Sequence, residues 1–347
     1  MHRLNRLCCA LATAALLAGL AWAAASTKPA TPPGHARAAP LAAKNLLLAG
    51  VQISTAAGPR LVAVGEYGHV LLSDDAGASW RQARSVPTVT TLTALHFIDG
   101  RQGWAVGHGG VVIATQDGGE TWLPLAGKLD GPEVLLSVWF QDALHGLVVG
   151  AFGHAARTVD GGKTWQTFAI AEGEEGERHL NQLFSGPAAD GGTARSLWVA
   201  AESGLLFRSD DAGASWRALK LPYKGSVWGG TALADGSLLV WGMQGHALRS
   251  DDGGKRFVVV PTGTEQSLSG GVQLPAADGA GPVLLVGLGG AVVRSTDNGR
   301  SFAPLVHDDR AGLAAVLPGT ASQALLLGQA GVQPQALAAA PGASAPR

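Results

Sequence analysis

Six aspartates of this chain, Asp75, Asp117, Asp160, Asp211, Asp252 and Asp297, sit at the centre of one recurring phrase, Ser/Thr-x-Asp-x-Gly-x-Ser/Thr-Trp/Phe. The copies read SDDAGASW at 73–80, TQDGGETW at 115–122, TVDGGKTW at 158–165, SDDAGASW at 209–216, SDDGGKRF at 250–257 and STDNGRSF at 295–302; Arg256 replaces the second hydroxyl in the fifth. A carboxylate can serve as general acid, general base or calcium ligand. Here each has a hydroxyl two residues before it and a glycine two after, which is turn chemistry. The hydroxyl and the carboxylate accept backbone N–H groups of the loop, and the glycine takes the left-handed conformation. The six are read as structural, one Asp box per repeat.

Two further sets keep the same period. His69, His154 and His246 each follow the closing glycine of a Gly-x-x-Gly, and Arg157, Arg208, Arg249 and Arg294 each precede an Asp-box hydroxyl. The histidines fall in alternate repeats, too far apart to share one metal, and read as hydrogen-bonded structural residues. The arginines form an arc that suits an acidic partner as a second patch. The competing reading is packing and salt bridging between repeats. No metal site and no cofactor is assigned.

The elements that hold these residues follow from the spacing. Successive Asp-box aspartates lie 42, 43, 51, 41 and 45 residues apart, the length of one four-stranded blade. Before each box comes Gly-x-x-Gly and an alternating strand: GEYG at 65, GHGG at 107, GAFG at 150, AESG at 201 in worn form, GMQG at 242 and GLGG at 287. A seventh, GQAG at 328, has no Asp box after it. The count predicts an all-β, seven-bladed β-propeller with Asp-box (BNR-like) repeats and four-stranded antiparallel blades. In blade 2 the strands fall at 92–98, 103–107, 111–115 and 121–125. The Gly-x-x-Gly joins the second and third strands, its glycines supplying positive φ; the Asp box joins the third and fourth. Trp104, Trp198 and Trp241, on second strands, are read as inter-blade core. The seventh blade looks one strand short, and residues 41–48 are expected to complete it.

The ends are read differently. Residues 1–25 have a charged start (Arg3, Arg6), an apolar run and small residues at a cleavage site, the pattern of a secretory signal; an uncleaved anchor is the alternative. Residues 26–40 read as a disordered leader, 41–338 as a single propeller domain and 339–347 as a disordered tail. The expectation is an exported, periplasmic or extracytoplasmic protein, soluble after cleavage, with no later membrane segment. Cys8 and Cys9 are the only cysteines and fall within the signal, so the body has no disulfide. Removing Arg3 and Arg6 from 25 basic residues leaves 23 against 26 acidic ones, no footprint for nucleic acid. A monomer is favoured.

The stretches LVAVGEYGHVLLSDDAGASW, LHFIDGRQGWAVGHGGVVIATQDGGETW, PYKGSVWGG and GHALRSDDGG resemble the photosystem II stability and assembly factor family, over nearly the whole chain after the signal. That resemblance implies a non-catalytic propeller that binds a newly made membrane protein on the exported side of a membrane. The client here would be a protein, such as the exported part of a membrane complex or transporter. Asp boxes also occur in sialidases, so a carbohydrate-binding or glycoside-hydrolysing propeller is the alternative. Sialidase chemistry needs a tyrosine nucleophile paired with glutamate, an acid and an arginine clamp. Only Tyr67 and Tyr223, with Glu66 nearby in sequence, offer it.

The partner surface is placed at the mouth that carries the Gly-x-x-Gly turns and the blade-to-blade connections, where loops vary on a fixed scaffold. The candidates are Glu66, Tyr67, His108, Phe152, Glu202, Tyr223, Lys224 and Trp228; PYKGSVWGG combines two amphipathic aromatics with glycines. The run EGEEGERHLN at 172–181 lengthens the third connection and reads as a solvated acidic loop.

Overall fold

The structure, a computed structural model, describes residues 34–125, 129, 134–188, 195–276 and 281–337. The signal at 1–25 and the tail at 339–347 lie outside them. Seven antiparallel sheets follow one another along the chain, six of four strands and the last of three, each built from one continuous stretch. The innermost strands are Leu47–Thr55, Leu92–Phe97, Leu135–Phe140, Leu180–Ala188, Val227–Ala232, Leu268–Gln273 and Leu313–Pro318. Each packs beside the next, and the first also packs beside the last, so the ring is closed.

The core lies between blades. Trp104 stacks on Phe140 of blade 3 at 3.7 Å, and Trp198 meets Phe257 of blade 5 edge-on. Trp241 packs with Val283 and Leu285 of blade 6. A sheet whose faces are both covered this way has little stability alone, which is why the repeats must close on one another.

Blade 7 shows why register has to be read from structure. Residues 41–48 do not form its missing strand. Ala42–Lys44 is a 3-10 turn, and Leu47 already opens blade 1. A Cβ on Gly331 would lie 2.0 Å from Ala43 O, just as one on Gly68 would lie 2.1 Å from Thr88 O. The segment thus occupies the place of a blade-to-blade connection, not of a fourth strand, and among the described residues blade 7 has three. The ordered body also begins earlier than expected. Ala36 N–H donates to Val86 O, Ala39 N–H to Gln82 Oε1 and Gln82 Nε2 to Arg37 O, so residues 36–39 lie against blade 1 rather than in a disordered leader.

One irregularity recurs in all seven blades. The inner strand carries one extra residue opposite the start of the Gly-x-x-Gly, a β-bulge at Leu48, Thr93, Leu136, Asn181, Trp228, Ser269 and Ala314. The bulge brings backbone against backbone. A Cβ on Gly65, Gly107, Gly150, Gly242, Gly287 or Gly328 would sit 2.0–2.3 Å from a carbonyl oxygen just before or at the foot of the inner strand. The first glycine is therefore required by close approach, and its φ is extended (−173° at Gly65) rather than positive. Only the second glycine matches the positive-φ expectation, at +68° in Gly68 and +71° in Gly153.

Candidate functional site

In blades 1 to 6 the Gly-x-x-Gly turn holds two successive residues left-handed, the third of the motif and the closing glycine, with Ser203 (φ 60°) at the third position in blade 4. Blades 2 and 6 put glycine at the third position, Gly109 and Gly289. Blades 1, 3 and 5 put Tyr67 (φ 57°), Phe152 (φ 54°) and Gln244 (φ 54°) there. An aromatic held left-handed costs about 1–2 kcal/mol relative to glycine, a strain that is retained where the side chain is needed. Tyr67 is 60% exposed and Phe152 72% exposed. Val89, Met243 and Leu288, on the same mouth, are exposed as well, and nothing in the sequence pattern set them apart.

The turns are braced from beneath. Glu66 Oε1 accepts Leu46 N–H at 3.0 Å and Glu202 Oε2 accepts His179 N–H at 2.9 Å, so these two predicted contact residues are committed to holding inner strands. The acidic connection is not simply solvated: Gly173–Glu177 is a 3-10 turn, Glu175 pairs with Lys220 at 3.0 Å, and His179 Nδ1 accepts Phe152 N–H at 2.9 Å with its ring edge-on to Phe152 at 4.7 Å. Tyr223 stacks on His246 at 4.3 Å and donates its hydroxyl to Met243 O at 2.9 Å. Burial raises its pKa, the wrong direction for a phenolate nucleophile. His108 and Lys224 are exposed. Trp228 is not a loop residue: it is the bulge of the blade 5 inner strand and faces the central channel.

The histidines behind the turns differ. His69 is buried with Nδ1 3.5 Å from Asn45 Nδ2, and His246 Nδ1 lies 3.3 Å from Met243 O. His154 departs from the expectation of a hydrogen-bonded residue, because its Nε2 is buried without a partner. Burial lowers the pKa of His69, against the pull of the Glu66 charge, and lowers that of His154.

The opposite mouth carries the Asp boxes, and its carboxylates do not converge. In blade 3 Asp160 Oδ1 accepts Thr164 N–H at 2.9 Å and Thr158 Oγ1–H at 2.8 Å, while Oδ2 accepts Thr164 Oγ1–H at 2.6 Å. Gly162 N–H then donates to Thr158 Oγ1. Those donors, Thr164 first, hold Asp160 at about 2. The other boxes repeat the pattern, and among the described residues no cluster has the makings of a metal site.

Of the two readings of the arginines, the structure supports packing and salt bridging between repeats and not the second patch. Arg208 donates from Nη1 to Gly253 O at 2.6 Å and lies 4.9 Å from the Trp198 ring. Arg249, 2% exposed, binds Asp235 and Asp251 and reaches Asn298 O, and Arg294 reaches Leu337 O. Each of these three crosses to the next blade, so they are staples and not a patch open to a partner. Arg157 stays within its blade, on Gln166 at 3.1 Å and Phe168. Arg60, from a different strand position, makes the same crossing to Gly118 O at 3.1 Å, joined by Asp74, Arg81 and Glu120. No repeat in the sequence pointed to it.

Comparison with known proteins agrees with the resemblance. Residues 121–259 match the family model described as photosynthesis system II assembly factor YCF48. A 52-residue stretch is 46% identical to the chloroplastic photosystem II stability/assembly factor HCF136 of Cyanidioschyzon merolae; that stretch is 14% of this chain and 12% of the relative. The fold superposes on YCF48 bound to D1 peptide with a TM-score of 0.64 and 17% identity, over 85% of this chain and 92% of that one. YCF48 from C. merolae gives 0.64 and 16%, over 87% and 98%. The GH74 enzyme of Niastella koreensis also gives 0.64, at 15% identity, over 84% of this chain and 43% of that one. The chain is photosystem II assembly factor-like in repeat and fold, and a propeller shared with an enzyme leaves function to be argued from the site.

Proposed function

We propose that this chain is a non-enzymatic assembly scaffold that docks an extended segment of a client protein on its Gly-x-x-Gly mouth. The carrying observation is the pair Tyr67 and Phe152, two aromatics held left-handed and exposed at turn tips where blades 2 and 6 use glycine. Rigid aromatics on braced turns give contact area at low entropic cost, the usual composition of interface anchors. The D1 peptide bound to YCF48 in the matching structure supports the same kind of partner. The signal pattern at 1–25 supports export, and with it a client on the far side of a membrane.

Photocrosslinking tests the docking face. A photoreactive amino acid at position 67 or 152 should yield discrete client adducts in the native cells, whereas the exposed apolar positions 123 and 258, on outer strands, should not. Adducts formed equally from the outer strands, or from no position, overturn the assignment. Export is checked separately by the shortened N-terminus of the mature protein.

A further inference from the structure

The central channel is a second feature, independent of the outer mouth. It has a volume of about 580 Å³, within the ~300–1,000 Å³ of small-molecule sites. All seven bulge residues line it, so the same irregularity that sets the first glycine of each motif aims one extra side chain per blade at the axis. Among the described residues no Asp, Glu, Lys or Arg lines it.

Most polar groups there have structural work. Thr93 Oγ1 donates to Leu135 O, Asn181 Nδ2 to Val227 O and Ser269 Oγ to Leu313 O, each reaching the first residue of the next inner strand. Gln182 Oε1 accepts Gly230 N–H, and His96 Nδ1 accepts Phe140 N–H. That bond leaves His96 neutral with its proton on Nε2. The bulge residues of blades 1, 3, 5 and 7, Leu48, Leu136, Trp228 and Ala314, make no such bond, and of these four only Trp228 brings an N–H and an aromatic face. The Nε1 of Trp241, 2% exposed and lining the same channel, is buried without a partner. The remaining capacity open to the channel is the Trp228 indole N–H, the Gln182 amide N–H, the His96 Nε2–H and the Asn181 amide oxygen.

The geometry points to a binding site for an uncharged mono- or disaccharide, with Trp228 as the stacking platform. An uncharged lining gives no hold on phosphate, carboxylate or ammonium ligands. Mixed donors and acceptors suit hydroxyls, which do both, and an aromatic face suits the C–H face of a sugar ring. Trp228, the second residue of its strand, stands at the end of the channel nearer the Gly-x-x-Gly mouth, so the site opens on that side.

The test is a titration of the folded protein with glucose and with cellobiose, followed by the indole N–H resonances and by tryptophan fluorescence. Saturable shifts confined to the channel tryptophans are expected, with Trp228→Ala weakening binding about tenfold, a change of ~1.4 kcal/mol, and Trp228→Phe recovering part of it. Absence of saturation, or equal binding by Trp228→Ala with an unchanged melting curve, overturns the assignment. A variant altered at Tyr67 and Phe152 should bind the sugar as the parent does, which separates this site from client docking. Loss of sugar binding in that variant would also overturn it.

Discussion

Replacing both Tyr67 and Phe152 by glycine separates what the turns need from what the surface does. Each residue now holds φ near 55°, at a cost of about 1–2 kcal/mol that glycine does not bear. Glycine gives back roughly 0.5–1 kcal/mol through the greater freedom of the unfolded chain. The substitution also removes two ring pairs, Tyr67 on His69 at 5.9 Å and Phe152 on His179 at 4.7 Å, worth about 0.5 kcal/mol each. The balance for the double variant lies between about −1 and +2 kcal/mol, centred slightly above zero, so the melting temperature should change by no more than about 2–4 °C. Client crosslinking from neighbouring mouth positions should meanwhile be lost. Gln244→Gly, at the same turn position without an aromatic, should gain stability and leave crosslinking intact. Calorimetry and crosslinking on the same preparations give both readouts. A fall beyond that range in the double variant would show that the aromatics are packing residues, and unchanged crosslinking would remove them from the docking face.

The two kinds of glycine should respond differently to alanine. Gly150→Ala places a Cβ 2.2 Å from Val134 O and should cost about 3 kcal/mol or more by denaturant melts, whereas Gly253→Ala, at φ +69° with open space around it, should cost about 1 kcal/mol. Arg249→Ala removes the buried guanidinium from Asp235 and Asp251 and frees Asn298 O, and a loss of about 3 kcal/mol is expected, which Arg249→Lys should not restore. Asp117→Ala removes the acceptor for Thr121 N–H, Thr121 Oγ1–H and Thr115 Oγ1–H and should cost about 1–2 kcal/mol, read as a shift in denaturation midpoint. Burial lowers His96 from 6.5 to about 4, so below pH 6.5 the unfolded chain takes up a proton that the native state refuses. Stability should therefore fall between pH 6.5 and 4 by on the order of 3 kcal/mol, with His69 and His154 adding in the same direction, and His96→Gln should flatten that slope.

The blade count was legible in the sequence because turn chemistry is local. An Asp box closes its hydrogen bonds within its own short phrase, so its spacing alone counts hairpins, and the second glycine of each Gly-x-x-Gly announces a left-handed position directly. Bridging between repeats was one of two readings the arginines offered, but their partners were not legible, since Arg208, Arg249 and Arg294 reach carbonyls more than forty residues on, at distances that only ring closure sets. The same holds for the start of the ring, where residues 41–48 fill a connection rather than a strand. The bulges are the sharpest case. Side chains alternate along a strand with period two, and one extra residue reverses which face each presents. Pairing with the second strand decides where that residue falls, and it is this pairing that turns Trp228 from a loop aromatic into a channel wall.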